Sequence, residues 1–490
     1  MNYKDIKTLG ELKKSGYKSR GIKEELRENL IQKLKGGKAL FKGIVGYEDT
    51  VIPDLERAIL SRHNIILLGL RGQAKTRIAR LMVDLLDEYI PIVAGSEMND
   101  DPLQPISRYA IDIISIKGDE TPIGWVHRSE RYTEKLATPD VSIADLIGDA
   151  DPIKAANLKL PYSDERVIHF GLVPRSHRGI FVINELPDLQ ARIQVALFNI
   201  LQEGDIQIRG FKIRLPLDIQ FVFTANPEDY TNRGSIVTPL KDRLQSQILT
   251  HYPKSISQSR EITKQEAQIT DEQRKIVKLH PLAEDLVEQI AFEARKSEYV
   301  DSKSGVSARL TISAYENLVS SAERRALING EPSAYIRVGD FWGVVPAITG
   351  KIELVYEGEQ QGPAGVAQIL IGKAVRTLFG NYFPDPEKMK KKKEGNPYLP
   401  VMHWFGQGNM VDLLNDIPDP EYRKSLTDIP GLQKLVKAYH PKAEGQEQLL
   451  LMEFALHGLA EFSMLSKNRL EKGLQFKDLL SGMLGVEMDD

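Results

Sequence analysis

The fold of this chain is decided by the stretch Asn64-Ile65-Ile66-Leu67-Leu68-Gly69-Leu70-Arg71-Gly72-Gln73-Ala74-Lys75-Thr76. Its apolar first half predicts a buried strand, its glycines predict a turn, and the pattern of polar and apolar residues from Lys75 to about Asp87 predicts a helix. This order is what a phosphate-binding loop requires, because backbone N–H groups and the positive end of a helix must surround the phosphates. We therefore predict a nucleotide-binding site here.

The loop departs at one position from the Walker A pattern G-x-x-x-x-G-K-[ST], since Ala74 stands in place of the second glycine. Lys75 is expected to reach the β/γ oxygens of ATP, and Thr76 to hold Mg²⁺. An apolar turn upstream could cup the adenine ring. The predicted nucleotide-binding residues are Val45, Gly46, Gly69, Leu70, Arg71, Gly72, Gln73, Ala74, Lys75, Thr76 and Arg77. The alternative is an accidental Lys-Thr pair in an ordinary strand-turn-helix.

The composition is typical of a globular protein with large cores. The chain has 490 residues, 41% of them hydrophobic and 27% charged, and its length suggests roughly three domains. No apolar run approaches the ~18 residues of a spanning helix, and the Lys-rich N-terminus lacks an apolar segment, so we predict a cytoplasmic protein without a membrane span. Zero cysteines exclude disulfides and thiolate metal sites, and a net charge of -3 gives no general attraction to nucleic acid.

Two segments flank the predicted loop region. Residues 1–40 are basic and predict an amphipathic helix, which is more typical of a docking helix with a solvated face than of a membrane or nucleic-acid binder. Its apolar positions are Ile22, Leu26, Leu30, Ile31 and Leu34. Residues 91–130 look like an insertion with one strand-like run, Tyr109 to Ile116, and beyond it Asp145 and Gly148 suggest the start and the end of a helix.

A second apolar strand, Ile180-Phe181-Val182-Ile183, ends at Asn184 and Glu185. A strand that ends at an acid is typical of a Walker B motif, which presents carboxylates to Mg²⁺ and to the attacking water. Asn184 replaces the expected Asp: its amide oxygen could accept a hydrogen bond from a metal-bound water, but it carries no charge. Glu185 retains the carboxylate that would polarise water. A plain core strand is the alternative.

Further along, the pattern predicts a helix from Gln190 to Glu203 and a hairpin from Gly204 to Pro216 with its turn at Gly210. A buried strand then ends at Asn226, whose amide could orient water against the γ-phosphate. Arg243 follows Asp242 and by itself is typical of a surface ion pair.

These elements occur in the order of an AAA+ ATPase module, and over about residues 41–350 the chain resembles the branch that holds MoxR proteins and the I subunit of magnesium chelatase. The loop from Gly69 to Thr76 looks like the loop of that branch, where alanine before the lysine is usual. His177 to Ile180 and the hairpin are similar too. The resemblance implies a catalytic set of Glu185, Asn226 as sensor 1, Arg243 as an arginine finger acting on a neighbouring subunit, and Arg309, in the run from Gly305, as sensor 2. The metal set would be Thr76 and Asn184.

The resemblance implies an α/β fold, an AAA+ P-loop NTPase with a parallel sheet core, an all-α lid and a mainly helical C-terminal extension. The expected domains are residues 1–40, an N-terminal helical extension; 41–255, the nucleotide-binding core; 256–352, the lid; and 353–490, the extension. Residues 388–394 predict a solvated basic loop. Residues 448–490 look helical, with an apolar stripe that is more typical of core than of a partner surface: Leu449, Met452, Leu456, Leu459, Phe462 and Leu465.

The function that this resemblance implies is ATP hydrolysis in a ring of identical chains, expected to be hexameric, that remodels a client protein with a separate VWA-domain protein as partner. Two alternatives stay open: a magnesium-chelatase motor subunit, and a nucleotide-binding scaffold whose turnover is weak because of Asn184. A bacterial enhancer-type activator is disfavoured, because the sequence has no G-A-F-T-G-A loop and no basic C-terminal helix-turn-helix.

Overall fold

The computed structural model describes residues 5–161, 164–206, 208, 211, 214–227, 236–390 and 395–479. The chain forms two compact units, Met1–His251 and Tyr252–Asp490, and each is described by itself. The division falls a few residues before residue 255, the predicted end of the nucleotide-binding core.

The first unit is built on a five-stranded parallel sheet with the strand order β11-β1-β10-β7-β4. The strands of this unit are β1 (Ile65–Leu68), β2 (Tyr89–Val93), β3 (Ile123–His127), β4 (Tyr132–Leu136), β5 (Gly148–Ala150), β6 (Ile168–Phe170), β7 (Gly179–Asn184), β8 (Asp205–Ile206), β9 (Leu215–Pro216), β10 (Ile219–Ala225) and β11 (Ser246–Leu249). Because the five strands run in parallel, their carboxyl ends meet at one edge, which is where open α/β sheets bind ligands.

Helices pack on both faces of this sheet. The described helices of this unit are α1 (Leu9–Lys14), α2 (Ile22–Lys35), α3 (Val51–Leu60), α4 (Lys75–Leu81), α5 (Arg108–Lys117), α6 (Ile143–Leu146), α7 (Pro152–Leu158), α8 (Leu172–Arg175), α9 (Ala191–Glu203) and α10 (Thr238–Arg243). Of these, α2, α3 and α4 contribute to the core on one face, and α6, α8, α9 and α10 to the core on the other. Alternate residues of the inner strands enter opposite cores: Ile65 and Leu67 of β1 join one, whereas Ile66 and Leu68 join the other. The predicted continuous apolar strands β1, β7 and β10 follow from this, since both of their faces are buried.

The predicted N-terminal amphipathic helix is present as α2 and packs into the core of the first unit. Its Glu25 forms a buried ion pair with Arg131 at 2.7 Å and accepts the backbone N–H of Asp87. Asp218, just before β10, accepts the backbone N–H of Ile22 at 2.6 Å. An ion pair to Arg131 and hydrogen bonds to Asp87 and Asp218 therefore fix the start of α2 against the sheet.

The strand predicted over Tyr109 to Ile116 is wrong, because this run lies in helix α5 (Arg108–Lys117). The Ser107 hydroxyl caps the helix by accepting the backbone N–H of Ala110 at 3.1 Å. The carboxylate of Asp100 accepts the backbone N–H of Ser107 at 2.8 Å. These polar contacts fix a helix start and override the β propensity of the run. The flanking β2 and β3 form an antiparallel pair.

Helix α6 begins at Ile143 rather than at the predicted Asp145. Ser142 is its N-cap, and Asp145 is the third helical residue, whose carboxylate accepts the backbone N–H of Ser142 in a capping box. The helix ends at Leu146, and Gly148 opens β5 instead of terminating the helix.

The predicted hairpin is present as the antiparallel pair β8 and β9, although the turn at Gly210 lies outside the described residues. The helix predicted from Gln190 is present as α9, with Gln190 as its N-cap. The helix predicted after the phosphate loop ends as α4 at Leu81 and continues as a 3-10 turn over Met82–Leu85.

The second unit is mostly helical and has one large hydrophobic core. Its described helices are α11 (Ile256–Glu266), α12 (Asp271–Ile276), α13 (Pro281–Lys296), α14 (Arg309–Asn329), α15 (Val345–Thr349), α16 (Tyr356–Gln361), α17 (Pro363–Phe379), α18 (Pro386–Lys390), α19 (Leu399–Gly406), α20 (Asp419–Thr427), α21 (Leu432–Tyr439) and α22 (Gly445–Glu461). The predicted lid and extension both contribute to this core, so the division expected at residue 352 falls within one unit. Residues 388–390 of the predicted basic loop belong to α18, and 391–394 lie outside the described residues.

The prediction of helix throughout residues 448–490 is wrong over residues 466–477, and residues 480–490 lie outside the described residues. Strands β15 (Ser466–Leu470) and β16 (Gly473–Lys477) form a hairpin that pairs with β14 (Val411–Leu414), while the small parallel pair β12 (Val277–Lys278) and β13 (Ala334–Tyr335) lies elsewhere in this unit. The two-residue connection lets β16 turn back and bury Leu474 and Phe476. The predicted apolar stripe is core: its members are buried, except the half-buried Phe462, which packs against that core. None of the described helices has the length and apolarity needed to cross a membrane.

Glu288, a buried carboxyl on α13, predicts a pH-dependent stability. Burial raises the pKa of Glu288 from 4.5 to about 7, against the lowering effect of a hydrogen bond from the Ser259 hydroxyl. Between these two pH values the folded chain keeps a proton that the unfolded chain has released, so this group makes folding less favourable as the pH rises.

We therefore expect the stability difference between Glu288→Gln and the parent to shift in favour of the variant as the pH rises through this window, and to level off above it. Urea unfolding across the window measures the difference. Glu261→Gln, at an exposed position of α11, is the control and should show no such trend. A difference for Glu288→Gln that stays constant with pH would contradict the expectation.

Candidate functional site

The loop between β1 and α4 bends through left-handed backbone conformations. Gly72 has φ 73° and Ala74 has φ 56°. Ala74 stands at the position of the second glycine in the Walker A pattern, and its left-handed backbone is one that glycine adopts without strain. Gly69 is required for a different reason: a Cβ there would lie 1.9 Å from the Thr250 hydroxyl and 2.2 Å from Oε1 of Gln73. The loop therefore packs directly on the end of the sheet.

Tyr47, Thr250 and His251, which were not among the predicted site residues, form hydrogen bonds that hold the loop in place. The Tyr47 hydroxyl lies 3.1 Å from the carbonyl oxygen of Gln73 and 2.7 Å from that of His251. The Thr250 hydroxyl donates to Oε1 of Gln73 at 2.6 Å. Tyr47 directly follows the predicted adenine turn at Val45 and Gly46, both of which are half-buried, and this adjacency was the available signal.

Lys75 is buried, and its ammonium group points back across the loop. Its Nζ donates to the carbonyl oxygens of Gly69 and, at 3.2 Å, of Leu70, and to Oδ1 of Asn226 at 2.8 Å. The amide of Asn226 in turn donates to Oε2 of Glu185 at 3.3 Å. The structure therefore brings the predicted loop lysine, sensor asparagine and acid into one hydrogen-bonded row at the carboxyl ends of three strands.

Asn184 and Glu185 end β7 beside this row. The backbone of Glu185 is left-handed, with φ 55°, and its N–H donates to the Thr224 hydroxyl at 3.2 Å. The amide oxygen of Asn184 accepts from the hydroxyls of Thr76 at 3.2 Å and Thr224 at 3.1 Å. The two residues predicted to hold the metal are thus in direct contact.

Glu134 on β4 is a further acidic residue at this site, and the sequence analysis missed it. Its Oε1 accepts the amide N–H of Asn184 at 2.7 Å. Arg80 of α4 donates to both carboxylate oxygens, at 2.9 and 3.2 Å. Glu134 lies in a mixed run that carried no motif, and only the pairing of β4 with β7 brings it to Asn184.

The donors at this edge fit Mg²⁺. The metal prefers oxygen ligands, keeps several waters, and is usually bound by few protein groups together with phosphates. Thr76 and Asn184 offer adjacent hydroxyl and amide oxygens. Within the part of the chain that the structure describes, no group of three His, Asp or Glu side chains could hold a metal ion on its own. Two neutral oxygens are few donors for this metal, so the site would suit a metal that also takes oxygens from phosphates.

The remaining predicted site residues lie around this centre or apart from it. Leu70 and Arg77 are half-buried, and Arg71 is exposed on the loop. Arg243 ends α10, pairs with Asp242, and has its guanidinium 5.6 Å from the Phe198 ring. Among the described residues, none of the contacts of Arg243 is to the phosphate loop. Arg309 opens α14 in the second unit, as its predicted helix start requires.

No protein-family model matches the chain. The chain is 27% identical over 210 residues to the magnesium-chelatase subunit ChlI of Chlorella vulgaris, covering 41% of this chain and 54% of that relative. It is 24% identical over 239 residues to the magnesium-chelatase 38 kDa subunit of Cereibacter sphaeroides, covering 47% and 64%. The chain thus spans about half the length of the curated relatives it matches. One chain of a magnesium-chelatase BchI–BchD complex, based on a cryo-EM reconstruction, aligns with 66% of this chain and 98% of its own length, at 19% identity and a TM-score of 0.33.

Proposed function

We propose that the chain is an AAA+ ATPase of the branch that holds MoxR proteins and magnesium-chelatase I subunits, and that it binds ATP with Mg²⁺ and hydrolyses it. The observation that supports this proposal is the row formed by Lys75, Asn226 and Glu185 beside the contact of Thr76 with Asn184. An ammonium, a polar amide, a carboxylate and a pair of metal-ligand oxygens at one sheet edge are the groups that phosphoryl transfer to water requires.

Each side chain then has a separate task. The Lys75 ammonium contacts the β/γ-phosphates, and the N–H groups of the loop bind the remaining phosphate oxygens. Thr76 and Asn184 would hold Mg²⁺, which would neutralise charge on the phosphate oxygens. Glu185 accepts a proton from the attacking water, and Asn226 keeps that carboxylate and the water in place. Arg309 would contact the γ-phosphate as sensor 2.

We also propose that the chain works as a ring, expected to be hexameric, that remodels a protein client with a separate VWA-domain partner. Arg243 supports the ring, because its side chain is partly exposed at the end of α10 and its described contacts leave it outside the site of its own chain. A finger of this kind acts on the nucleotide of a neighbouring subunit. A magnesium-chelatase motor is the second candidate, favoured by the curated relatives. A scaffold with weak turnover is the third, favoured by the uncharged Asn184.

The ring proposal predicts complementation between two inactive variants. Arg243→Ala should bind ATP but lose hydrolysis, and Lys75→Ala should lose ATP binding. When the two are mixed, one type of interface pairs an intact loop with an intact finger, so phosphate release should return in part. Turnover per chain of the parent should also rise with protein concentration.

Arg57→Ala is the matched control, since Arg57 is an exposed arginine paired with a nearby aspartate. It should keep full turnover, because an exposed ion pair of this kind contributes at most ~1 kcal/mol. Turnover that does not depend on concentration, together with no rescue in the mixture, would contradict the ring and the assignment of Arg243. No phosphate release from the parent at any concentration would favour the scaffold.

A further inference from the structure

Asn184 is the one departure from the Walker B pattern, and its amide is fixed by what surrounds it. Its Nδ2 donates to Oε1 of Glu134 at 2.7 Å, and its Oδ1 accepts from the hydroxyls of Thr76 and Thr224. An ionised carboxylate can only accept hydrogen bonds, whereas a hydroxyl can either donate or accept. Glu134 therefore orients the Asn184 amide, with its nitrogen toward Glu134 and its oxygen toward Thr76.

Glu134 is itself held in place from its other side. Arg80 donates to both of its carboxylate oxygens, and the Tyr132 hydroxyl donates to Oε2 at 3.0 Å. In the register of the parallel pair, Glu134 lies opposite Val182 on β7, and Leu136 lies opposite Asn184. The carboxylate is thus a fixed part of the sheet edge.

The same geometry favours an amide over a carboxylate at position 184. An aspartate at 184 would place a second carboxylate within hydrogen-bond distance of Glu134, with no proton between the two like charges. With Asn184 the contact is instead a charge-assisted hydrogen bond. The Asn at 184 and the Glu at 134 are therefore complementary, and each choice depends on the other.

We propose that Glu134 is a positioning residue for the metal site: it holds the Asn184 amide so that Oδ1 faces Thr76, and it makes Asn184 fit where the pattern expects aspartate. This inference rests on the proposed ATPase function. Glu134 contacts Asn184, and in this proposal it acts on the metal site only through that side chain. Its effect should therefore appear in the Mg²⁺ dependence of nucleotide binding.

The test exchanges the amide at position 184 and the carboxylate at position 134. Asn184→Asp alone should raise the Mg²⁺ concentration that half-saturates binding of a fluorescent ATP analogue, by about 10-fold if outer-shell partners have their usual influence. The double variant Glu134→Gln with Asn184→Asp reverses the direction of the hydrogen bond, and should return the half-saturation point to within about 2-fold of the parent or below it. Glu134→Ala, which frees the amide to rotate, should raise it about 10-fold.

Glu134→Gln alone should change the half-saturation point little, because the glutamine oxygen can still accept from Asn184. Glu130→Gln, an exposed glutamate just before β4, is the control for a lost charge and should match the parent. Thermal unfolding without nucleotide is measured for each variant, because a merely structural role would change the melting temperature and leave the Mg²⁺ dependence unchanged.

The inference is overturned if Asn184→Asp alone tightens Mg²⁺-dependent binding and Glu134→Gln adds nothing to it, or if Glu134→Ala leaves the Mg²⁺ dependence unchanged. If Asn184→Asp does not fold, the exchanged double variant and Glu134→Ala still decide between these outcomes. A parent that shows no Mg²⁺-dependent nucleotide binding would instead contradict the proposed function itself.

Discussion

Lys75→Ala is expected to abolish the binding of a fluorescent ATP analogue. In the structure the Lys75 ammonium lies inside the loop, hydrogen-bonded to two of its carbonyl oxygens and to Asn226. A mobile cation on such a loop is the group that can follow the β/γ-phosphates, and charge-assisted hydrogen bonds are among the stronger ones. Its removal takes the mobile ammonium group of the loop away from the β/γ-phosphates. Equilibrium titration of the analogue with fluorescence detection measures the loss.

The control is Lys42→Ala, which removes a lysine from an exposed position upstream of the site and should bind the analogue like the parent. Thermal unfolding without nucleotide separates lost binding from lost folding, because Lys75 also bonds the loop in the free chain. Affinity of Lys75→Ala equal to that of the parent would exclude this loop as the nucleotide site.

Glu185→Gln is expected to keep ATP binding and to lower turnover by about 10²-fold or more, which is the usual size of general-base catalysis. Glutamine has the same shape and can still accept the hydrogen bond from the Asn226 amide, so the site should keep its geometry. It cannot take up the proton of the attacking water. Single-turnover hydrolysis, measured beside analogue binding, separates the chemical step from affinity.

Glu203→Gln, at the exposed end of α9, is the control and should turn over like the parent. Equal turnover in Glu185→Gln and the parent would remove Glu185 from the role of base.

The parts of the fold that local sequence determines were predictable. The strand, the turn and the helix around Lys75 follow from a short apolar run, glycines and a polar–apolar pattern within a few residues of each other. The strands that end at Asn184 and Asn226 were predictable for the same reason. Parallel strands then bring these ends together, and so the row from Lys75 to Glu185 needs no further information than strand order.

What the sequence did not reveal depends on contacts across long separations. Glu134 meets Asn184 across 50 residues, and Thr250 meets Gln73 across 177. Such contacts are set by strand register, which no local pattern encodes. The strand predicted at Tyr109 is wrong for another reason, because the N-cap Ser107 starts a helix in a run whose β-branched residues favour a strand. The missed hairpin of β15 and β16 was hidden by the strong helical periodicity of α22 just before it.

The left-handed backbone of Glu185 has a consequence for how this chain can vary. A non-glycine residue in that conformation loses about 1–2 kcal/mol of folding free energy, and the same holds for Ala74 in the loop. A glycine at 185 would relieve the strain but would remove the carboxylate. Under the proposed function, stability and turnover place opposite demands on this position. Selection for thermal resistance alone would then favour well-folded chains that bind ATP and do not hydrolyse it.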